Sequence, residues 1–290
     1  MLECMDGVQN GEGICWPQGK SIAAMLTFDF DAEFLRISRA GRKGKSAGFA
    51  DISRGQYGPC EGIWRCLDVL DAHDVKATFF VPGVVAERYR DAVEQIHLRG
   101  HEIACHGYAH ESPRRMEASD AQEILARAEH ALASITGKRP VGYRAPESIL
   151  YPFSLSLLHE RGYVYDASLK DCDWAYLHVL DGQQTTLVEL PDDVLMDDFT
   201  YFYFTFADPA MRSMYTCREV FGNWRAEFDG LARERDKIFV LKLHPQLIGR
   251  ASRISYLGEW IGYMKQRGAW IATCEEVARY VQAQSQERTT

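Results

Sequence analysis

The chain has 290 residues, 46% of them hydrophobic and 26% charged, with a formal net charge of −8. This is ordinary globular composition, which excludes a chain dominated by disorder. The acidic balance and the lack of a basic stripe argue against an extended nucleic-acid partner.

The length suits one large α/β barrel or two small domains, and we read residues 1–290 as one barrel domain with 1–15 as an N-terminal extension. That extension lacks a basic segment followed by an apolar one, so no secretory signal is expected. No apolar run reaches the roughly 18 residues of a membrane span. Eight cysteines are scattered without a C-x-x-C pair, which reads as reduced thiols in a cytoplasmic protein. The expected partner is therefore a small molecule or saccharide, with no membrane involved.

In chain order, 22–28 (IAAMLTF) reads as a buried strand. Residues 32–58 form an insertion placed at the active site. Within it, five basic residues (Arg36, Arg39, Arg42, Lys43, Lys45) are interspersed with Gly and Ser and read as a solvated loop. Residues 62–73 have helical spacing, and 76–81 (KATFFV) is a strand ended by Pro82-Gly83. A helix over 86–99 stops at Gly100. Next come a strand at 102–105, a long helix at 119–136, a short strand at 141–143 and a helix at 153–161. Strands at 164–166 and 187–190 precede a helix at 218–234. The apolar strand 238–243 (IFVLKL), a helix at 253–266, a strand at 270–272 and a helix at 275–284 complete the chain. Such alternation argues for parallel strands with crossover helices, closing into a barrel of about seven strands. No G-x-G-x-x-G follows the first strand, which argues against a dinucleotide fold.

Chemistry-bearing residues gather at the strand ends. Asp29 and Asp31 alternate onto one side of the chain, where one carboxylate can bind metal and the other accept a proton. His106 and His110 have the H-x3-H spacing that places two imidazoles on one face of a helical turn, and neutral imidazole suits zinc. Arg144 can pair with a carboxylate and hold it ionised. Asp166 ends another strand, and His244 after the apolar strand can act as a general acid. Each feature alone has a bland reading as a cap, a surface pair or a structural contact. Five strand ends on one rim of a parallel barrel argue for one site.

These residues resemble the motifs of the polysaccharide deacetylases, the NodB-homology or carbohydrate esterase family 4 group. The matching segments are Thr27-Phe28-Asp29-Phe30-Asp31, His106-Gly107-Tyr108-Ala109-His110, Arg144-Ala145-Pro146, Asp166-Ala167-Ser168 and Leu241-Lys242-Leu243-His244-Pro245. The resemblance implies a distorted (β/α) barrel and a divalent metal, most often zinc, on Asp31, His106 and His110. It implies Asp29 as general base, His244 as general acid, Arg144 supporting Asp29 and Asp166 tuning His244, with Asp171 and Asp173 as alternatives. Phe30 between the aspartates and Glu147 after Pro146 depart from the usual motifs. With the 32–58 insertion, they resemble a cytoplasmic subgroup that includes the Helicobacter-type peptidoglycan deacetylase and cyclic imide hydrolases. Relatives in that subgroup are often homo-oligomers, including tetramers.

The expected reaction is metal-dependent hydrolysis of a carbon–nitrogen bond outside peptides. Amide or cyclic imide hydrolysis of a small intracellular substrate comes first, and N-deacetylation of peptidoglycan or N-acetylglucosamine-type saccharides is the alternative. A reading from another class is a non-catalytic carbohydrate-binding or scaffold protein, against which the intact chemical set argues. Substrate contacts are assigned to Glu33, Arg54, Tyr108, Glu147, Trp174, Asp197 and Asp198. The aromatic run Phe199, Tyr201, Phe202, Tyr203, Phe204 and Phe206 alternates like a strand and reads as core or subunit interface.

Overall fold

The structure is a computed structural model and describes residues 14–111, 116–204, 214–234 and 236–289. Among the described residues, nine strands form one curled sheet: β1 (Ala23–Asp29), β2 (Thr78–Val81), β3 (Glu102–Cys105), β4 (Gly142–Tyr143), β5 (Tyr165–Asp166), β6 (Tyr176–Leu180), β7 (Gln183–Glu189), β8 (Ile238–Leu243) and β9 (Trp270–Ile271). The spatial order is β6-β7-β5-β4-β3-β2-β1-β8, with β9 also pairing with β1. All neighbours are parallel except β6 and β7. The result is an open half-barrel, as the family resemblance implies.

The helices are α1 (Phe34–Arg42), α2 (Phe49–Tyr57), α3 (Ile63–Ala72), α4 (Gly83–Arg88), α5 (Arg90–Leu98), α6 (Ala118–Thr136), α7 (Ser154–Glu160), α8 (Asp198–Phe202), α9 (Cys217–Leu231), α10 (Pro245–Ile248), α11 (Ala251–Gln266) and α12 (Cys274–Thr289). No helix among the described residues is long and apolar enough to cross a membrane.

Alternation along β1 explains how the site is built. Ala24, Leu26 and Phe28 join the outer core, packed with residues of α3, α5, α6, α9 and α11. Ala23 and Met25 belong to a separate inner cluster with Phe80, Tyr165 and Val240, plugged by Val277, Ala278 and Val281 of α12. Both faces are thus covered, which is why β1 reads as an unbroken apolar run. The same parity carries Thr27 and Asp29 onto the concave side, beyond the plug. Ile238 and Val240 are inner residues of β8, so Lys242 follows them onto the same concave side.

Three sequence expectations change. The strand expected at 187–190 is the end of β7, but β6 and the hairpin that joins it to β7 were not expected, although Asp181 (φ +50°) and Gly182 (φ +76°) form the connection. An Asp-Gly pair is a strong short-range hairpin signal, because both central residues need positive φ. The basic run is not a solvated loop: Arg36, Arg39 and Arg42 lie on α1, and Arg36 is buried against Asp51 and Tyr203. The aromatic run begins in a short helix, α8, rather than a strand, and its Phe206 lies outside the described residues.

The helices α2 and α3 run on through a π-helical turn at Gly58–Gly62. A Cβ on Gly62 would lie 2.0 Å from the Pro245 carbonyl oxygen, and one on Gly249 would lie 2.4 Å from Gly62 Cα. The segment after β8 therefore seats directly on this glycine turn, which fixes where His244 stands.

Candidate active site

Asp31, His106 and His110 converge at the C-terminal end of the half-barrel, all buried. His106 Nε2 lies 3.4 Å and His110 Nε2 3.9 Å from Asp31 Oδ1. That oxygen is buried and has no hydrogen-bond partner among the described residues. A buried carboxylate oxygen without a donor is costly unless a cation or an ordered water completes it. His106 Nδ1 lies 2.7 Å from the Arg144 carbonyl oxygen, so Nδ1 carries the proton and Nε2 keeps its lone pair for a ligand. Burial holds His110 neutral and pulls its pKa down to about 4, despite the opposing pull of Asp31. His106 and His110 can thus each turn a ring nitrogen toward a metal beside the Asp31 carboxylate.

The histidine pair is not on a helical turn. Residues 106–110 form a loop in which Gly107 (φ +70°) and His110 (φ +54°) take left-handed backbone conformations. Glu111 holds the loop by accepting from the backbone N–H groups of Tyr108 and Ala109 at 3.0 and 2.8 Å. Positive φ at His110 is a strained conformation for a side chain of its size, and it aims the ring back at His106, with ring centroids 5.2 Å apart.

Asp29 stands beside the trio, its Oδ2 3.9 Å from His106 Nε2. Arg144 donates from Nη1 to Asp29 Oδ1 at 2.8 Å and to Thr27 Oγ1 at 3.0 Å, and from Nε to the Ala167 carbonyl at 3.0 Å. Its guanidinium lies 4.0 Å over the Phe80 ring. Burial pushes the Asp29 carboxyl upward, but Arg144, then His106, His244 and Lys242, outweigh it and hold it well below the usual carboxylate range. Asp29 is therefore an ionised acceptor with one oxygen committed to Arg144.

His244 Nε2 reaches to 3.7 Å from Asp31 Oδ2. Its partner is Asp198, which accepts from His244 Nδ1 at 2.7 Å and from the His244 backbone N–H at 3.0 Å. Burial alone would lower the imidazole pKa. Asp198, then Asp197 and Asp31, reverse this and raise it to about 10. Asp197, Asp198 and His244 also sit close enough to form a second metal-binding group. Their atoms are already engaged, however: Asp197 accepts from the Phe199 N–H and pairs with Lys242, so this cluster is an ion-pair network.

Asp166 does not reach His244, since β5 lies five strands from β8 along the curled sheet. It accepts from Ser168 Oγ at 2.8 Å, and Ser168 Oγ accepts from the Ala145 N–H at 2.9 Å. Asp166 thus braces the loop whose Ala167 carbonyl holds Arg144. Burial, then the neighbouring Glu189, raises its pKa well above the usual value. Asp171 bonds Tyr176, and the Asp173 carbonyl accepts from Ile238 at the start of β8, so neither approaches His244.

A cleft of about 190 Å³ opens onto these groups, lined by Asp29, Asp31, His106, His110 and His244 together with Leu35, Arg39, Glu147, Ser148, Lys170, Asp197, Phe199, Thr200 and Lys242 among others. Of the residues assigned to the substrate, only Glu147 and Asp197 line it. Asp198 lies behind His244. Glu33 is buried under Tyr89 and Arg88, Arg54 donates to the Phe204 carbonyl, and Tyr108 packs on Arg127 and bonds Glu87. Trp174 sits under Lys237 at the opposite end of β8. Sequence reasoning missed Lys242, buried between Asp192 at 2.9 Å and Asp197 at 3.2 Å. Its signal was its even spacing with His244 on the same strand. Arg39 and Phe199 were also missed as cleft residues, because their position depends on how α1 and α8 pack.

Residues 56–165 match the family model for polysaccharide deacetylase. A Mycobacterium smegmatis crystal structure assigned to the polysaccharide deacetylases is 34% identical, with a TM-score of 0.87 over 98% of this chain and 96% of that one. The chain belongs to the polysaccharide deacetylase family. The peptidoglycan deacetylase of Helicobacter pylori is 29% identical over 252 residues, covering 79% of this chain and 86% of its own length. The Puue allantoinase structure, at 24% identity and a TM-score of 0.83 over 97% of each chain, has the same fold. As a polysaccharide deacetylase family member, the chain keeps both aspartates of the first motif converging on His106, despite the intervening Phe30.

Proposed function

We propose that this protein is a metal-dependent N-deacetylase acting on N-acetylated saccharides of peptidoglycan or N-acetylglucosamine type. The observation that carries the reading is the orphaned, buried Asp31 Oδ1 facing two imidazole nitrogens, between an Arg-held carboxylate and a protonated histidine. The kinship with peptidoglycan deacetylases supports saccharide N-deacetylation over the amide or cyclic imide hydrolysis of a small substrate that the sequence alone put first.

Asp31, His106 and His110 would hold a divalent ion, with zinc matching two imidazoles and one carboxylate. When bound, such an ion supplies Lewis-acid polarisation and a more acidic water. Asp29 would orient the attacking water and take its proton on Oδ2, the oxygen that Arg144 leaves free. Arg144 keeps Asp29 ionised and fixed, so little reorganisation is needed as charge develops. His244, charged through Asp198, protonates the departing nitrogen and prevents its return to the carbonyl. Lys242 holds Asp197 beside His244 and adds positive potential to the cleft.

The test is a substrate panel on zinc-loaded protein: N-acetylglucosamine oligomers against succinimide-type and hydantoin-type rings. Acetate release from the sugars, abolished by chelation and by Asp31→Ala, is the expected result. Ring opening without acetate release would overturn the deacetylase reading.

A further inference from the structure

We propose that Arg39 is a receptor for a substrate anion, so that the amide hydrolysed here carries a carboxylate near its scissile bond. This rests on the proposed deacetylase reading and names the substrate class it implies.

Arg39 projects from α1 into the catalytic cleft. Its Nε donates to Glu147 Oε1 at 2.6 Å, while its two terminal nitrogens have no hydrogen-bond partner among the described residues. The side chain is 32% exposed, so those nitrogens meet whatever fills the cleft. With Nε committed, the remaining end of the guanidinium is a fork of two parallel donors, the shape that grips a carboxylate. The other cations of the cleft wall are not so placed. Lys242 is taken by Asp192 and Asp197, and Lys170 bonds Ser148, the Ser168 carbonyl and Asp192.

The fork is held in place. The Arg39 guanidinium lies 4.7 Å from the Phe199 ring centre, and the Phe199 ring lies 5.4 Å from that of His244. Glu147, with a left-handed backbone (φ +55°), is also gripped by Arg42, which donates to Oε2 at 2.6 Å and to Oε1 at 2.7 Å. Arg39 and His244 thus flank one shared aromatic ring, Phe199, on the wall of the same cleft. A guanidinium pre-organised by Glu147, with its two terminal nitrogens uncommitted, loses little freedom on meeting an anion.

The experiment compares acetate release by the zinc-loaded protein from N-acetylglucosamine and from its 6-carboxylate, N-acetylglucosaminuronate. The expected kcat/KM is higher for the carboxylate by on the order of ten-fold or more, chiefly through KM. Arg39→Gln should erase that ratio. Arg42→Gln, which weakens the same Glu147 pairing from outside the cleft lining, should keep it. Equal efficiencies in the wild type, or the same loss of ratio in both variants, would overturn the inference and leave the deacetylase reading standing. If neither sugar is hydrolysed, the deacetylase reading fails by itself, and calorimetric titration of both sugars decides the rest. Tighter binding of the carboxylate that Arg39→Gln abolishes sustains the anion receptor; equal or absent binding overturns it.

Discussion

Asp198→Asn removes one charge from the centre of the proposed proton delivery and changes little else in shape. Asp198 is fully buried and makes two bonds to His244, at 2.7 Å to the ring and 3.0 Å to the backbone. Burial works against the imidazolium, so its pKa of about 10 is sustained by the carboxylates around it, Asp198 first. A hydrogen bond to a charged partner is worth about 1.5–3 kcal/mol here. Losing it should draw the His244 pKa down by about one to two pH units. A group with a raised pKa keeps its proton below that value and loses it as pH rises through it. The variant should therefore lose its acid earlier, and the basic limb of kcat should shift toward neutral pH by that amount. At pH 9 this gives a fall of roughly 2- to 10-fold, which vanishes toward pH 6. The assay is acetate release across pH 5–10, with zinc content measured on each preparation to exclude metal loss. An unmoved basic limb, or a deficit equal at every pH with zinc intact, would refute His244 as an acid charged by Asp198.

Asp31→Asn should strip the divalent metal from the purified protein, read as zinc per chain by plasma mass spectrometry; full occupancy in the variant would contradict the ligand set. Gly62→Ala should lower the Tm and kcat together, because its Cβ would meet the Pro245 carbonyl at 2.0 Å and push the His244 segment away; an unchanged Tm would show that this contact yields freely. Glu147 is pushed up by burial, but bonds from Arg42 and Arg39 hold its pKa down at about 2. Its stabilisation is therefore present above its ordinary value of 4.5 and lost as pH falls from there toward 2. Glu147→Gln should cost about 1–2 kcal/mol at pH 7, allowing for solvent screening at this partly open position, and the gap should narrow as pH falls and close only near pH 2. Urea denaturation at both pH values measures it, and a gap independent of pH would refute the ion-pair assignment.

What was legible in the sequence follows from the range of the interactions involved. The parallel half-barrel was readable because β1 and β8 are buried on both faces and must be apolar throughout. Asp29, Asp31, His106 and His244 were readable because strand ends in such a sheet share one rim, so position along the chain already implies proximity. The partner of His244 was not readable in the same way. Asp198 arrives from α8, a short helix 46 residues upstream of His244, and no periodicity relates that segment to β8. Its docking instead rests on Phe199 stacking with Tyr203 at 4.1 Å and on the cationic faces of Arg36 and Arg39 above them. The basic residues that looked like a solvated run are thus what holds α8 under α1. The same packing brings Asp198 behind His244 and Arg39 over the cleft. The proposed acid and the proposed anion receptor both rest on one helix contact, so a substitution that loosens α1 from α8, such as Arg36→Ala, should lower kcat and raise KM together in acetate release; a change in neither would refute that dependence.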